Sequence, residues 1–217
     1  MMEIKACIFD LDGVIVDTAK YHFVAWREIA RELGFEFTEE HNERLKGVSR
    51  MRSLEILLEV GGITLDQQTK ERLAERKNKD YLSYILQMTP DEILPRAKDF
   101  LLELRQHNVK IALGSASKNA MVILNRLQIA HLFDAVIDGT KVTKAKPDPE
   151  IFLKGAEELH IPPENCVVFE DAEAGIEAAI AAKMKCVGIG SRKILGKANL
   201  VIPGFVDFSF QKLNELK

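Results

Sequence analysis

The 217-residue sequence predicts an α/β fold: a doubly wound, mainly parallel sheet with an all-helical domain inserted after its first strand. Three observations carry that expectation. Short runs that are apolar almost throughout alternate with amphipathic stretches, the pattern of strands covered by helices on both faces. Four of those runs lead directly into loops rich in Asp, Glu, Ser or Lys. One stretch of roughly 75 residues, from the first run to "ILPRAKDFLLELR", contains no convincing strand.

The elements follow in order. "IKACIF" (4–9) is the first strand. Four helical patterns come next: "AKYHFVAWREIARELG", "TEEHNERLKG", "SRMRSLEILLEVGG" and "TLDQQTKERLAERKNKDYLSYILQM". Gly34, Gly47 and the Gly61-Gly62 pair punctuate them. Residues 17–93 therefore read as a helical domain, entered through "DTAK" and left through "TPDEILP". Residues 1–16 and 94–217 read as the α/β domain. Its later strands are "VKIALG" (109–114), "DAVI" (134–137), "CVVFE" (166–170) and "KCVGIG" (185–190). Helical patterns over 97–107, 118–128, 149–160 and 173–183 separate them. "LVIP" adds a short apolar segment, and 207–216 a last helix.

Composition sets the function classes aside. Hydrophobic residues at 47% and charged residues at 29% suit a globular chain with one substantial core. A net charge of −3 argues against nucleic acid as a partner. No apolar run reaches the length of a membrane span, and "MMEIKACIFD" has no basic region leading into an apolar one. Cys7, Cys166 and Cys186 are odd in number, widely spaced and set in apolar segments, so buried reduced thiols are expected. The expectation is a cytoplasmic monomer with neither a nucleic-acid nor a membrane partner.

Ligands of open α/β sheets bind beyond the carboxyl ends of the strands. Asp10 and Asp12 stand there after the first strand, with Gly13 allowing a tight turn. Two close carboxylates suit a hard cation such as Mg²⁺, or merely cap a turn. Ser115 and Ser117 in "GSASKNA" could hold a phosphate at a helix N-terminus, or cap that helix. Lys146 in "KAKPDPEIF" is either a fixed charge reaching the same place or a solvated lysine. Glu170 and Asp171 in "FEDAEAGIEAA" add two acids, or favour the dipole of the next helix. Asp17 reads as a helix start. In the helical insertion Arg50 and Lys77 suit a second phosphate, one as a fork and one as a point charge.

With Asp-x-Asp, Ser, Lys and Glu-Asp in order after successive strands, the chain resembles the haloacid dehalogenase superfamily of phosphotransferases over nearly its whole length. The helical insertion matches that superfamily's cap. The resemblance implies that Asp10 is a nucleophile forming an aspartyl phosphate, and Asp12 a general acid and base. It implies that Ser115, Ala116 and Lys146 hold the transferring phosphoryl group. One Mg²⁺ would be held by Asp10, the backbone carbonyl of Asp12, Asp171 and Glu170.

The signatures "DLDGVI", "DTAKYH", "KGVSR", "RKN" and "SASKN" narrow the resemblance to the β-phosphoglucomutase family. That family implies sugar-phosphate substrates: β-D-glucose 1-phosphate and glucose 6-phosphate, interconverted through β-glucose 1,6-bisphosphate. Substrate residues would be Thr18, His22, Lys46, Gly47, Val48, Ser49, Arg50, Ser53 and Lys77 in the cap, with Ser117 and Asn119 from the core. Two positions depart from the family pattern. Ala172 stands where Ser is common after the Glu-Asp pair, and Arg96 where Gly usually follows Pro. A sugar-phosphate phosphatase using water as acceptor is the nearest alternative; a phosphonatase and a non-catalytic binding module are weaker ones.

Overall fold

The computed structural model describes residues 3–45, 47–214 and 216. Its strands are β1 (Ala6–Phe9), β2 (Lys110–Gly114), β3 (Ala135–Ile137), β4 (Cys166–Glu170), β5 (Lys185–Ile189) and β6 (Leu200–Ile202). They form one sheet in the order β3-β2-β1-β4-β5-β6, with every pairing parallel. The chain thus steps outward on one side of β1 and then crosses to its other side at β4. That reversal opens a crevice at the carboxyl ends of β1 and β4.

Strand periodicity divides the core in two. Cys7 and Phe9 of β1 point into one apolar cluster, and Ala6 and Ile8 into the other. β4 repeats the division, with Val167 and Phe169 on the first face and Cys166 and Val168 on the second. The Phe9 and Phe169 rings stack with centroids 4.6 Å apart, joining the two central strands. The helices that cover these faces are α5 (Ala97–Gln106), α6 (Ala120–Arg126), α7 (Glu150–Leu159), α8 (Glu173–Ala181), α9 (Arg192–Leu195) and α10 (Phe210–Asn214). The "LVIP" segment becomes β6, paired with β5. The last helix is shorter than the 207–216 expected. All three cysteines are free and buried.

Between β1 and α5 lie α1 (Ala19–Glu32), α2 (Glu39–Glu43), α3 (Arg50–Gly61) and α4 (Gln67–Ile85). Side chains of Thr38, Ser49 and Asp66 cap α2, α3 and α4 by accepting backbone N–H groups. Gly62, at φ +63°, ends α3 in the left-handed conformation. Trp26, Ile29, Phe37, Leu54, Leu57 and Leu73 form a third apolar cluster drawn from these helices and the loop between α1 and α2. The chain enters and leaves this helical unit along two adjacent segments: Leu94 N donates to Ile15 O at 2.9 Å, and Val16 bridges Ile93 antiparallel. Asp17 Oδ1 accepts from Ala19 N at 3.0 Å, in agreement with a helix start. Among the described residues no helix is long and apolar enough to cross a membrane.

Candidate active site

The first turn after β1 is built to touch the first turn after β4. Gly13 has φ +74°, and a Cβ there would stand 2.1 Å from Asp171 Oδ2. Gly175, opposite, would place a Cβ 2.0 Å from the carboxyl carbon of Glu170. Only glycine tolerates either approach. The result is that Asp10, Glu170 and Asp171 offer carboxylate oxygens all within 4.8 Å of one another. Three hard oxygen donors converging in this way fit Mg²⁺. The Asp12 carboxylate is outside this cluster; it accepts a hydrogen bond from Thr18 Oγ1.

Lys146 is not a solvated lysine. It is 4% exposed, with Nζ 2.7 Å from Asp10 Oδ1 and 2.9 Å from Glu170 Oε2. Burial alone would lower its ammonium, but Asp10 and Glu170 more than offset this and raise it above the ordinary value. Burial pushes the Glu170 carboxyl upward, with Lys146 opposing. Asp12 is pushed up to about 8 by burial and then by the Asp10 charge, against the pull of Lys146 and Lys77. The two serines order their own loop: Ser115 Oγ accepts from Ser117 N at 3.1 Å, and Ser117 Oγ from Asn119 N at 3.2 Å. Neither caps α6, whose N-cap is Asn119.

A cavity of about 620 Å³ joins this carboxyl edge to the helical unit. From the core, Asp10, Asp12, Ala116, Ser117, Asn119 and Lys146 line it. From the helices, His22, Gly47, Val48, Ser49, Arg50, Ser53 and Lys77 do so. Thr18 and Ser115 are buried. Glu170 is likewise enclosed, and Asp171 faces a second cavity that it shares with Gly13 and Asp17. Lys46 lies outside the described residues.

Charge on the helical side is concentrated at Lys77, which is 2% exposed. Its Nζ sits 2.7 Å from His22 Nδ1. An ammonium has no lone pair, so Nδ1 accepts, and the proton of a neutral His22 is on Nε2. Burial, then Lys77 and Arg50, hold His22 well below its usual range. Burial and then Arg50 bring Lys77 down to about 7.

Among the cavity residues not expected to bind substrate are Trp26, Asn78 and Tyr81. Trp26 follows His22 by four positions and Tyr81 follows Lys77 by four, so helical spacing puts each pair on one face. Asn78 adjoins Lys77 and accepts from Asn119 Nδ2 at 2.9 Å, a direct tie between α4 and the core.

The family model for haloacid dehalogenase-like hydrolases matches residues 4–183. The chain belongs to this family. A β-phosphoglucomutase of Bacillus subtilis (strain 168) is 46% identical over 213 residues, 97% of this chain and 94% of that one. A crystal structure of β-phosphoglucomutase from Clostridium difficile superposes with a TM-score of 0.94 at 45% identity, covering 98% of this chain and 96% of the other. A phosphorylated carbohydrates phosphatase of Thermotoga maritima is 34% identical over 82% of this chain and 81% of its own. The resemblance carried by the strand-end and cap motifs is thereby borne out, as is the α/β fold.

Proposed function

We propose that the protein is a Mg²⁺-dependent phosphotransferase that interconverts β-D-glucose 1-phosphate and glucose 6-phosphate through phospho-Asp10 and β-glucose 1,6-bisphosphate. The observation that carries this reading is one cavity with a cationic end on each side. Lys146 stands beside Asp10 on the core side, and Arg50 and Lys77 face it from the helices. A single transferring phosphate needs only the first end. A hexose phosphorylated at both ends needs both. The likeness to two β-phosphoglucomutases supports the same reading.

Asp10 attacks phosphorus as an ionised carboxylate, and the bond to the sugar oxygen breaks. Asp12 gives that oxygen its proton, and takes the proton from the accepting hydroxyl in the reverse step. A carboxyl raised to about 8 holds a proton to give at neutral pH. Lys146, Ser115 and the amides of the Ser115–Ser117 loop orient the phosphoryl oxygens. Asp10, Glu170, Asp171 and the Asp12 carbonyl would hold Mg²⁺, which when bound neutralises negative charge on the phosphoryl group. Arg50, Ser53 and Lys77 bind the other phosphate, and His22, Gly47, Val48, Ser49, Ser117 and Asn119 line the space for the sugar. Thr18 holds Asp12. Residues 17–93 act as a cap over a core of 1–16 and 94–217, excluding water so that a sugar hydroxyl is the acceptor. The enzyme works as a cytoplasmic monomer on small sugar phosphates.

Hydrolysis of sugar phosphates is the second reading, favoured by the 34% identity to a phosphatase. Both readings need the covalent intermediate. Acid-labile labelling from the bisphosphate is expected in the wild type and absent in Asp10→Asn; label retained in Asp10→Asn overturns both.

A further inference from the structure

The cationic end of the cavity on the helical side contains an arrangement that binding phosphate does not by itself require. Lys77 Nζ lies 4.8 Å from the centroid of the Trp26 ring and 4.6 Å from that of Tyr81. Both rings are 1% exposed. His22 Nδ1 accepts a hydrogen bond from Lys77 Nζ at 2.7 Å, and the His22 and Tyr81 rings lie 4.1 Å apart. The ammonium is therefore walled on three sides by aromatic groups, and α1 and α4 each supply a wall. No carboxylate pairs with it: the salt bridges of the described residues leave Lys77 out, whereas Lys146 has two.

We propose that Trp26 and Tyr81 are positioning residues whose ring faces hold Lys77 as a charged ammonium aimed at the substrate phosphate. This rests on the reading above that Lys77 binds that phosphate. The physical need is plain. A buried lysine without a counter-ion sheds its proton, and a neutral amine attracts phosphate poorly. A carboxylate partner would keep the charge but repel the phosphate. Aromatic faces keep the charge through their quadrupoles and offer no competing anion. Lys77 is faced by His22 and Trp26 on α1, Arg50 on α3, Tyr81 on its own helix and Asp12 on the loop after β1. Burial and then Arg50 push its proton off, and Asp12 opposes them; the two ring faces add to the side that keeps it on.

Trp26 is the only tryptophan in the chain, so biosynthetic incorporation of fluorinated tryptophans changes position 26 alone. Fluorine weakens the ring quadrupole stepwise with little change of shape. KM for β-glucose 1-phosphate, measured with Mg²⁺ and bisphosphate saturating, is expected to rise stepwise with fluorination, by about tenfold across the series. The basic limb of kcat/KM against pH is expected to move to lower pH in the same order. Phosphorylation of Asp10 by acetyl phosphate, which brings no second phosphate, is expected to stay constant. In parallel, Tyr81→Leu is expected to lose more than Tyr81→Phe, which keeps the ring. A KM and a pH limb indifferent to fluorination, with Lys77→Met still crippling turnover, overturn the cage alone. Hexose phosphate turnover unaffected by Lys77→Met overturns the phosphate role of Lys77 and the cage with it. Acetyl phosphate labelling that falls in step with fluorination overturns the cage in favour of a packing role for Trp26.

Discussion

Arg96 holds a left-handed backbone, φ +65° and ψ 0°, at the N-cap of α5. An L side chain is disfavoured there, and that is the physical reason for the glycine usual at this point of the resembling family. Its side chain is 62% exposed and, among the described residues, pairs with Asp99 at 3.0 Å, which offsets little. Arg96→Gly is therefore expected to raise stability by about 1 kcal/mol, read from the urea midpoint; an unchanged or lower midpoint contradicts the strain. Ala172 is the N-cap of α8, in extended backbone and with no side chain to accept an N–H. Ala172→Ser is expected to add about 0.5–1 kcal/mol in the same assay. Asp12 makes a pH prediction. Its carboxyl, ordinarily at 3.8, is raised to about 8, so between those values the folded chain binds a proton that the unfolded chain has released. Stability then falls as pH rises through that window. In the presence of chelator, the Tm of Asp12→Asn relative to wild type is expected to climb from pH 5 to pH 8. A constant difference refutes the shift.

Helices and loops differ in how openly the sequence declares them. The loops after β1, β2, β3 and β4 were legible because each follows an apolar strand and carries chemistry-bearing residues in a fixed order. The run "ERKNK" was less legible, since such runs usually face water. Yet Leu73, Lys77, Tyr81 and Ile85 are spaced by four and are all buried on α4, so Lys77 occupies a place in the apolar stripe. The same spacing joins His22 to Trp26 on α1. β6 has three residues and α9 four, too short for any period to be read. The loop residues Val142 and Thr143 reach the cavity wall without any motif to announce them. Arg50 is the first residue of α3, set by the Ser49 cap so that it faces the cavity. If it anchors the phosphate that is not being transferred, Arg50→Ala is expected to cut kcat/KM for hexose phosphates on the order of 100-fold. Labelling of Asp10 by acetyl phosphate should survive. Equal loss of both activities makes Arg50 a support of the fold or the core site. Loss of neither means that no phosphate is read through it.

At the scale of the whole molecule, the helical unit and the sheet meet over one cavity. The paired segments at Ile15 and Leu94 join them on one side. On the other, Asn119 donates to Asn78, and Arg126 Nε donates to Met88 O at 3.2 Å. These ties hold the helical unit that bears Arg50 and Lys77 against the core that bears Asp10 and Lys146. The choice between mutase and phosphatase is the choice between a sugar hydroxyl and water as acceptor, and it is decided by what leaves the cavity. The direct measurement supplies the protein with Mg²⁺, β-glucose 1-phosphate and a trace of β-glucose 1,6-bisphosphate, and follows glucose 6-phosphate and free phosphate in the same sample. A mutase converts the substrate to glucose 6-phosphate while free phosphate stays a small fraction of turnover. Free phosphate released in step with the loss of substrate, without glucose 6-phosphate, contradicts it.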